Sequence, residues 1–121
     1  MCPSQETDRL LEKLIAWGCD VSSALPRFLD DKDLYCNFVR QVADEESFPL
    51  LGEMIEKADA KAAFEKAHEL KGVLANMSLT PLYDTVVEIV EPLRAGKWTG
   101  VADNYKKLQA EWAYFRSSIL G

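Results

Sequence analysis

Histidine is almost missing from this sequence, with His68 as its one example. Cysteine occurs at Cys2, Cys19 and Cys36, an odd number at wide spacing. No disulfide framework and no Cys-x-x-Cys pair arises from these positions, and reduced thiols in a cytoplasmic protein are the simplest reading. Zinc would need Cys and His together at short spacing, which the chain does not offer. A serine nucleophile would have to recruit His68 as its base, and no Gly-x-Ser-x-Gly elbow accompanies it. Positive charge is also scarce: 14 Lys and Arg face 20 Asp and Glu, for a net charge of -6. Nucleic acid is therefore excluded as an expected partner, because phosphate contacts need clustered basic side chains. An anionic membrane surface is disfavoured on the same ground. No apolar run approaches the ~20 residues of a membrane span. The opening Met1-Cys2-Pro3-Ser4-Gln5-Glu6 shows neither the basic region nor the apolar core of a signal peptide. Nucleotide loops of the Gly-x-x-x-x-Gly-Lys-Ser/Thr type are absent as well.

What remains is an ordinary globular composition, 48% hydrophobic over 121 residues, which fits one domain that needs neither disulfide nor metal to fold. Strand alternation is weak, and the chain reads as helix, turn, helix. The first helix is expected over about 4–17, with Leu10, Leu11, Leu14, Ile15 and Trp17 on its apolar face and Gly18 as its stop. A short segment follows over 21–28, capped by Asp20 and interrupted by Pro26. The third helix, over about 31–43, carries Leu34, Tyr35, Phe38, Val39 and Val42 at helical spacing. Asp30-Asp31-Lys32-Asp33 lacks the spaced ligands and glycine of a calcium loop, and is read as a cap with a solvated turn. A fourth helix spans about 48–58, with Leu50, Leu51, Met54 and Ile55 inward. The fifth spans 60–77. The sixth starts with Thr80 as its cap and Pro81 in the first position, and Pro92 is expected to bend it or end it early before Arg94. After a turn holding Trp98, which is expected to pack back on the helices, the last helix runs over about 101–120. Its stripe is Val101, Tyr105, Leu108, Trp112, Phe115 and Ile119. Short connections imply antiparallel neighbours, so the expected architecture is all-α: an up-down four-helix bundle with short accessory N-terminal helices.

The fifth segment separates into two faces at about 100° per residue. Ala63, Ala67, Leu70, Leu74 and Met77 make the core face. His68 falls opposite, with Lys61, Phe64, Glu65, Lys71, Gly72 and Ala75 beside it. Lys71, three residues on, places an ammonium near any group attached to the ring. Gly72 sits mid-helix, where it is about 1 kcal/mol worse than Ala, and close approach of another molecule is one reason to keep it. Phe64 exposes apolar area one turn back, and Ala75 keeps the surface low two turns on. The result is a flat, partly apolar platform with one nucleophile and one cation. The lone pair of an imidazole ring nitrogen is able to attack phosphorus. Lys71 would then neutralise phosphoryl oxygens without any proton transfer. With no nucleotide site in the chain, the phosphoryl group would come from another protein.

The run His68-x-Leu70-Lys71-Gly72, followed by Ala75-Asn76-Met77-Ser78-Leu79 and Leu82, resembles the signature of histidine-containing phosphotransfer (HPt) domains. Upstream, Trp17-Gly18-Cys19-Asp20-Val21, Ala24-Leu25 and Arg27-Phe28-Leu29 resemble the N-terminal part of small bacterial stand-alone members. The resemblance implies a four-helix bundle with accessory helices, His68 as phosphoacceptor, Lys71 as charge stabiliser, and Gly72 as room for a docking receiver domain. It implies partners of two kinds, response-regulator receiver domains and a sensor histidine kinase, and a monomeric state. No cofactor is implied for the chain itself, since Mg2+ belongs to the receiver. Such a protein is a phosphoryl carrier rather than a turnover enzyme. Two residues depart from the family pattern: Ser78 stands where Gly is usual, and Pro92 lies in a helix usually uninterrupted. Two other readings compete. The motif also fits the phosphoacceptor segment of a histidine kinase, although that family has a Thr/Asn-Pro pair where this chain has Gly72-Val73. A helical adaptor holding a receiver on the Phe64 platform, without transfer, is the other.

Overall fold

The computed structural model describes residues 3–121, so Cys2 lies outside the described residues. Helix is the one regular structure among them. In chain order the helices are α1 (Pro3–Trp17), α2 (Val21–Ala24), α3 (Lys32–Gln41), α4 (Ser47–Glu56), α5 (Ala60–Met77), α6 (Thr80–Arg94) and α7 (Val101–Tyr114). Short 3-10 turns follow α2 (Leu25–Phe28) and α3 (Val42–Asp44), and a π turn (Phe115–Ile119) follows α7. No described helix is long and apolar enough to cross a membrane.

Three aspartates start helices in the same way. Asp20, Asp31 and Asp59 accept the backbone N–H three residues along, from Ser23 (3.3 Å), Leu34 (3.0 Å) and Ala62 (3.1 Å). Each satisfies a donor that the first helical turn leaves without a partner. Five segment ends also share one device. At Gly18, Leu29, Ala58, Ser78 and Gly96 the chain turns left-handed, with φ between 54° (Ala58) and 105° (Gly18). The N–H there bonds the carbonyl three residues back, and the next N–H bonds the one five back. Two of the five are glycine. The other three carry a Cβ that costs roughly 1–2 kcal/mol in this conformation. Ala58→Gly is therefore expected to raise stability by about 1 kcal/mol, read as a higher urea midpoint at unchanged slope. A midpoint that falls would mean that glycine's extra freedom in the unfolded chain outweighs the relieved strain.

Pro26 interrupts the 21–28 segment as expected: one helical turn gives way to a 3-10 turn, because Pro26 offers no N–H to continue an α-helix. Several other expectations need correction. The third helix ends at Gln41 and tightens to 3-10, and α4 ends at Glu56, before the left-handed Ala58. Leu79, not Thr80, occupies the cap position of α6; the Thr80 hydroxyl donates back to the Ser78 carbonyl at 3.3 Å. Pro92 does not end α6 early, because it sits in the last turn and the helix runs on to Arg94, stopping at the Gly96 turn. The last helix changes pitch at Phe115 instead of continuing to 120. Ile15 is 60% exposed, on an open cleft with Leu11, Val21 and Leu25, because the α2 turn covers only part of α1. Phe38 is 40% exposed, with its ring against Phe28 at 5.4 Å. Trp98 keeps 36% of its surface open in the turn before α7.

Buried side chains from α1 through the C-terminal π turn form one hydrophobic cluster, with Tyr35, Phe48 and Phe115 the largest. Helix α5 packs between α4 and α6, α6 packs on α7, and α7 returns to α4. From the N-terminal side, α1 packs on α3, while α2 and α3 reach α5. Polar atoms inside are paired: Tyr105 Oη donates to the Phe48 carbonyl (2.8 Å), and Trp112 Nε1 to that of Val42 (3.0 Å). The Trp112 ring stacks on Phe48 with centroids 4.4 Å apart. Thr85 links α6 to α7 through its hydroxyl, which donates to the Glu111 carboxylate.

Cys19 and Cys36 are buried, as small core residues, and burial pushes their thiols up to about 12 and about 11 respectively. Free cysteine ionises near 8.5. The fold thus holds both thiols protonated where the unfolded chain would ionise them. Their contribution to stability is complete below about pH 8.5 and is lost as pH rises toward the folded values. Peptide mapping after iodoacetamide treatment at pH 8 should find neither residue alkylated in the folded protein, and the urea midpoint should fall between pH 8 and pH 10. Rapid alkylation of Cys36 would show that its site opens locally.

Candidate functional site

Helix α5 builds the site. Asp59 caps its start, and Ala, Lys, Glu and Leu fill its interior, all strong helix formers. Its inward face is the expected one: Ala63, Ala67, Leu70 and Leu74 are wholly buried, and Met77 nearly so. Burial of that stripe fixes the rotation of the helix and turns His68 to solvent, where its residue is exposed. Glu65, Gly72 and Ala75 are exposed along the same side, and Phe64 and Lys71 are half-buried.

Two rings are brought together: Phe64 and His68 lie with centroids 5.7 Å apart and a 33° tilt. The Phe64 ring thus forms an apolar floor beside the imidazole. Lys71 forms no ion pair among the described residues and is half-buried. Glu69 points elsewhere and pairs with Lys66 at 3.0 Å. Glu65 is exposed and makes no ion pair among the described residues.

Gly72 is open. A Cβ built there meets nothing within 4 Å, and its backbone is ordinary helix without a positive φ. Neither internal packing nor conformation demands a glycine at this position. Space outside the chain is what its missing side chain provides.

Two arginines were not foreseen. Arg94, in the last turn of α6, lies over the Phe64 ring at 5.3 Å and pairs with Glu91 at 3.5 Å. It adds a second cation beside Phe64. Arg27, from the 3-10 turn after α2, bonds the last turn of α5 next to Ala75. As sequence, each is a basic residue near the end of a helical turn; no motif links either to residues far along the chain.

Chemically, this arrangement offers one solvent-facing ring nitrogen, an apolar wall on one side, cations from two helices, and clear space one turn along. No protein-family model, curated protein or solved structure matches the chain.

Proposed function

We propose that the chain is a histidine phosphotransfer protein of the HPt type, with α4 to α7 as an up-down four-helix bundle and α1 to α3 as accessory helices. His68 accepts a phosphoryl group from the aspartyl phosphate of a receiver domain and returns it to a receiver aspartate. In the forward step a ring nitrogen forms the N–P bond as the P–O bond to the aspartate breaks. The aspartate leaves as carboxylate, and the ring's other N–H releases its proton to solvent. The return step reverses these bonds. Lys71 neutralises the phosphoryl oxygens in both directions. Phe64, Glu65, Gly72 and Ala75 form the docking surface, with receiver domains and a sensor histidine kinase as partners.

The observation that carries this reading is the open Gly72 one turn beyond an exposed His68, with Lys71 between them unpaired among the described residues. The test uses phosphoramidate, a small donor that modifies accessible histidine. The protein should gain the mass of one phosphoryl group. Mixed with Mg2+ and a receiver domain from the same genome, it should lose that mass within the time of mixing. A folded protein that takes no label would end the carrier reading.

A further inference from the structure

The last turn of α5 leaves carbonyls without helical partners, as every helix does. Here the accessory segment adds its own donors to those of the turn itself, the Ser78 and Leu79 amides. Arg27 Nε donates to the Asn76 carbonyl at 2.9 Å, and Nη2 donates to the Ala75 carbonyl at 3.1 Å and to Ser78 Oγ at 2.8 Å. Beside it, buried Tyr35 Oη donates to the Met77 carbonyl at 2.9 Å. A planar guanidinium suits such a grip, since its N–H groups diverge in a fixed fork, and its charge faces the negative end of the helix dipole.

Both ends of this grip are held in unfavourable backbone. Ser78 takes the left-handed conformation at φ 55°, where glycine would be at ease, and its hydroxyl accepts from Arg27. The departure from glycine thus supplies a contact that glycine lacks. Leu29 and Asp30, just after Arg27, are both left-handed (φ 60° and 57°). Leu29 is 85% exposed, so packing of its own side chain does not repay the strain. That turn does present Arg27 to α5. The carbonyl of Ala75 belongs to the residue two turns from His68, on the strip that also carries Gly72.

We infer that Arg27 is a positioning residue: through the Ala75 and Asn76 carbonyls and the Ser78 hydroxyl, it fixes the far end of the docking strip for a receiver domain. The inference rests on the phosphotransfer reading, and ties the accessory helices to partner affinity rather than to the chemistry at His68. Arg27→Ala should leave phosphoramidate labelling of His68 unchanged. With the receiver domain that drains labelled wild type fastest, the half-saturating receiver concentration of the single-turnover transfer rate (its KM) should rise about tenfold at an unchanged maximal rate. Hydrogen exchange should speed up at the Ser78 and Leu79 amides, which bond the Ala75 and Leu74 carbonyls. Ser78→Ala should shift KM the same way by a smaller factor. Arg27→Lys keeps the charge without the fork and should not restore KM. An unchanged KM in Arg27→Ala, or full rescue by lysine, overturns the positioning role. Wild type that labels nothing would instead end the phosphotransfer reading, and the exchange rates would still decide whether the grip orders the last turn of α5.

Discussion

His68→Gln is expected to fold like the wild type and to take up no phosphoryl group at all. The exposed ring makes no hydrogen bond and no ion pair among the described residues, and its one aromatic neighbour is Phe64. Glutamine is a somewhat better helix former, and an exposed substitution of this kind moves stability by about 0.5 kcal/mol or less. The amide nitrogen has no lone pair free for attack on phosphorus, so labelling by phosphoramidate should drop to background. Because the chain has one histidine, no second site is available to blur the result. The same variant separates the competing readings. A carrier loses both transfer and cellular output while still binding its receiver. An adaptor keeps binding and output alike. A kinase phosphoacceptor segment also loses labelling, yet the wild type must then form dimers, which sedimentation would reveal.

Much of this site was legible in the sequence because one periodicity governs it. Five apolar residues at helical spacing set the buried face of α5, and once that face is inward His68 has one direction left. The caps at Asp20 and in the 30–33 run were legible for a related reason, since a short acceptor before an apolar-periodic run has one common use; Asp59 caps α5 in the same way and was not foreseen. What escaped depends on contacts between distant parts of the chain. Ile15 repeats in register with Leu11, and whether it is covered depends on how far the α2 turn reaches across α1. Left-handed turns at Leu29, Ala58 and Ser78 carry no glycine to announce them. Arg27 meets α5 across 48 to 51 residues of sequence, and no local pattern encodes such a meeting. Arg94 is the same case: its helix ends beside the start of α5, and that neighbourhood is a product of packing.

Two helical glycines should respond to substitution in opposite ways. At Gly52 a Cβ would fall 2.7 Å from Tyr105 Cζ, closer than any stable contact allows. The Tyr105 ring would have to move, and its hydrogen bond to the Phe48 carbonyl would go with it. Overpacking of this kind costs roughly 1–3 kcal/mol, enough to outweigh the gain in helix propensity. Gly72→Ala meets no neighbour and should instead stabilise the protein by about 1 kcal/mol. Gly72→Gln should also fold, since its side chain projects into open space. Phosphoramidate is small enough to pass that side chain, so His68 should label at the wild-type rate. Under the proposed phosphotransfer function a receiver domain brings its aspartate to the ring across this surface, and a glutamine there would hold it off. Displacing reacting groups by as little as 1 Å can cost about 100-fold in rate, and transfer to the receiver should fall by at least that factor. Stability that rises in Gly72→Ala while transfer collapses in Gly72→Gln would assign the glycine to the partner. Transfer that stays at the wild-type rate in Gly72→Gln would mean that the receiver approaches His68 from another side, and the docking surface would have to be moved toward Phe64 and Arg94.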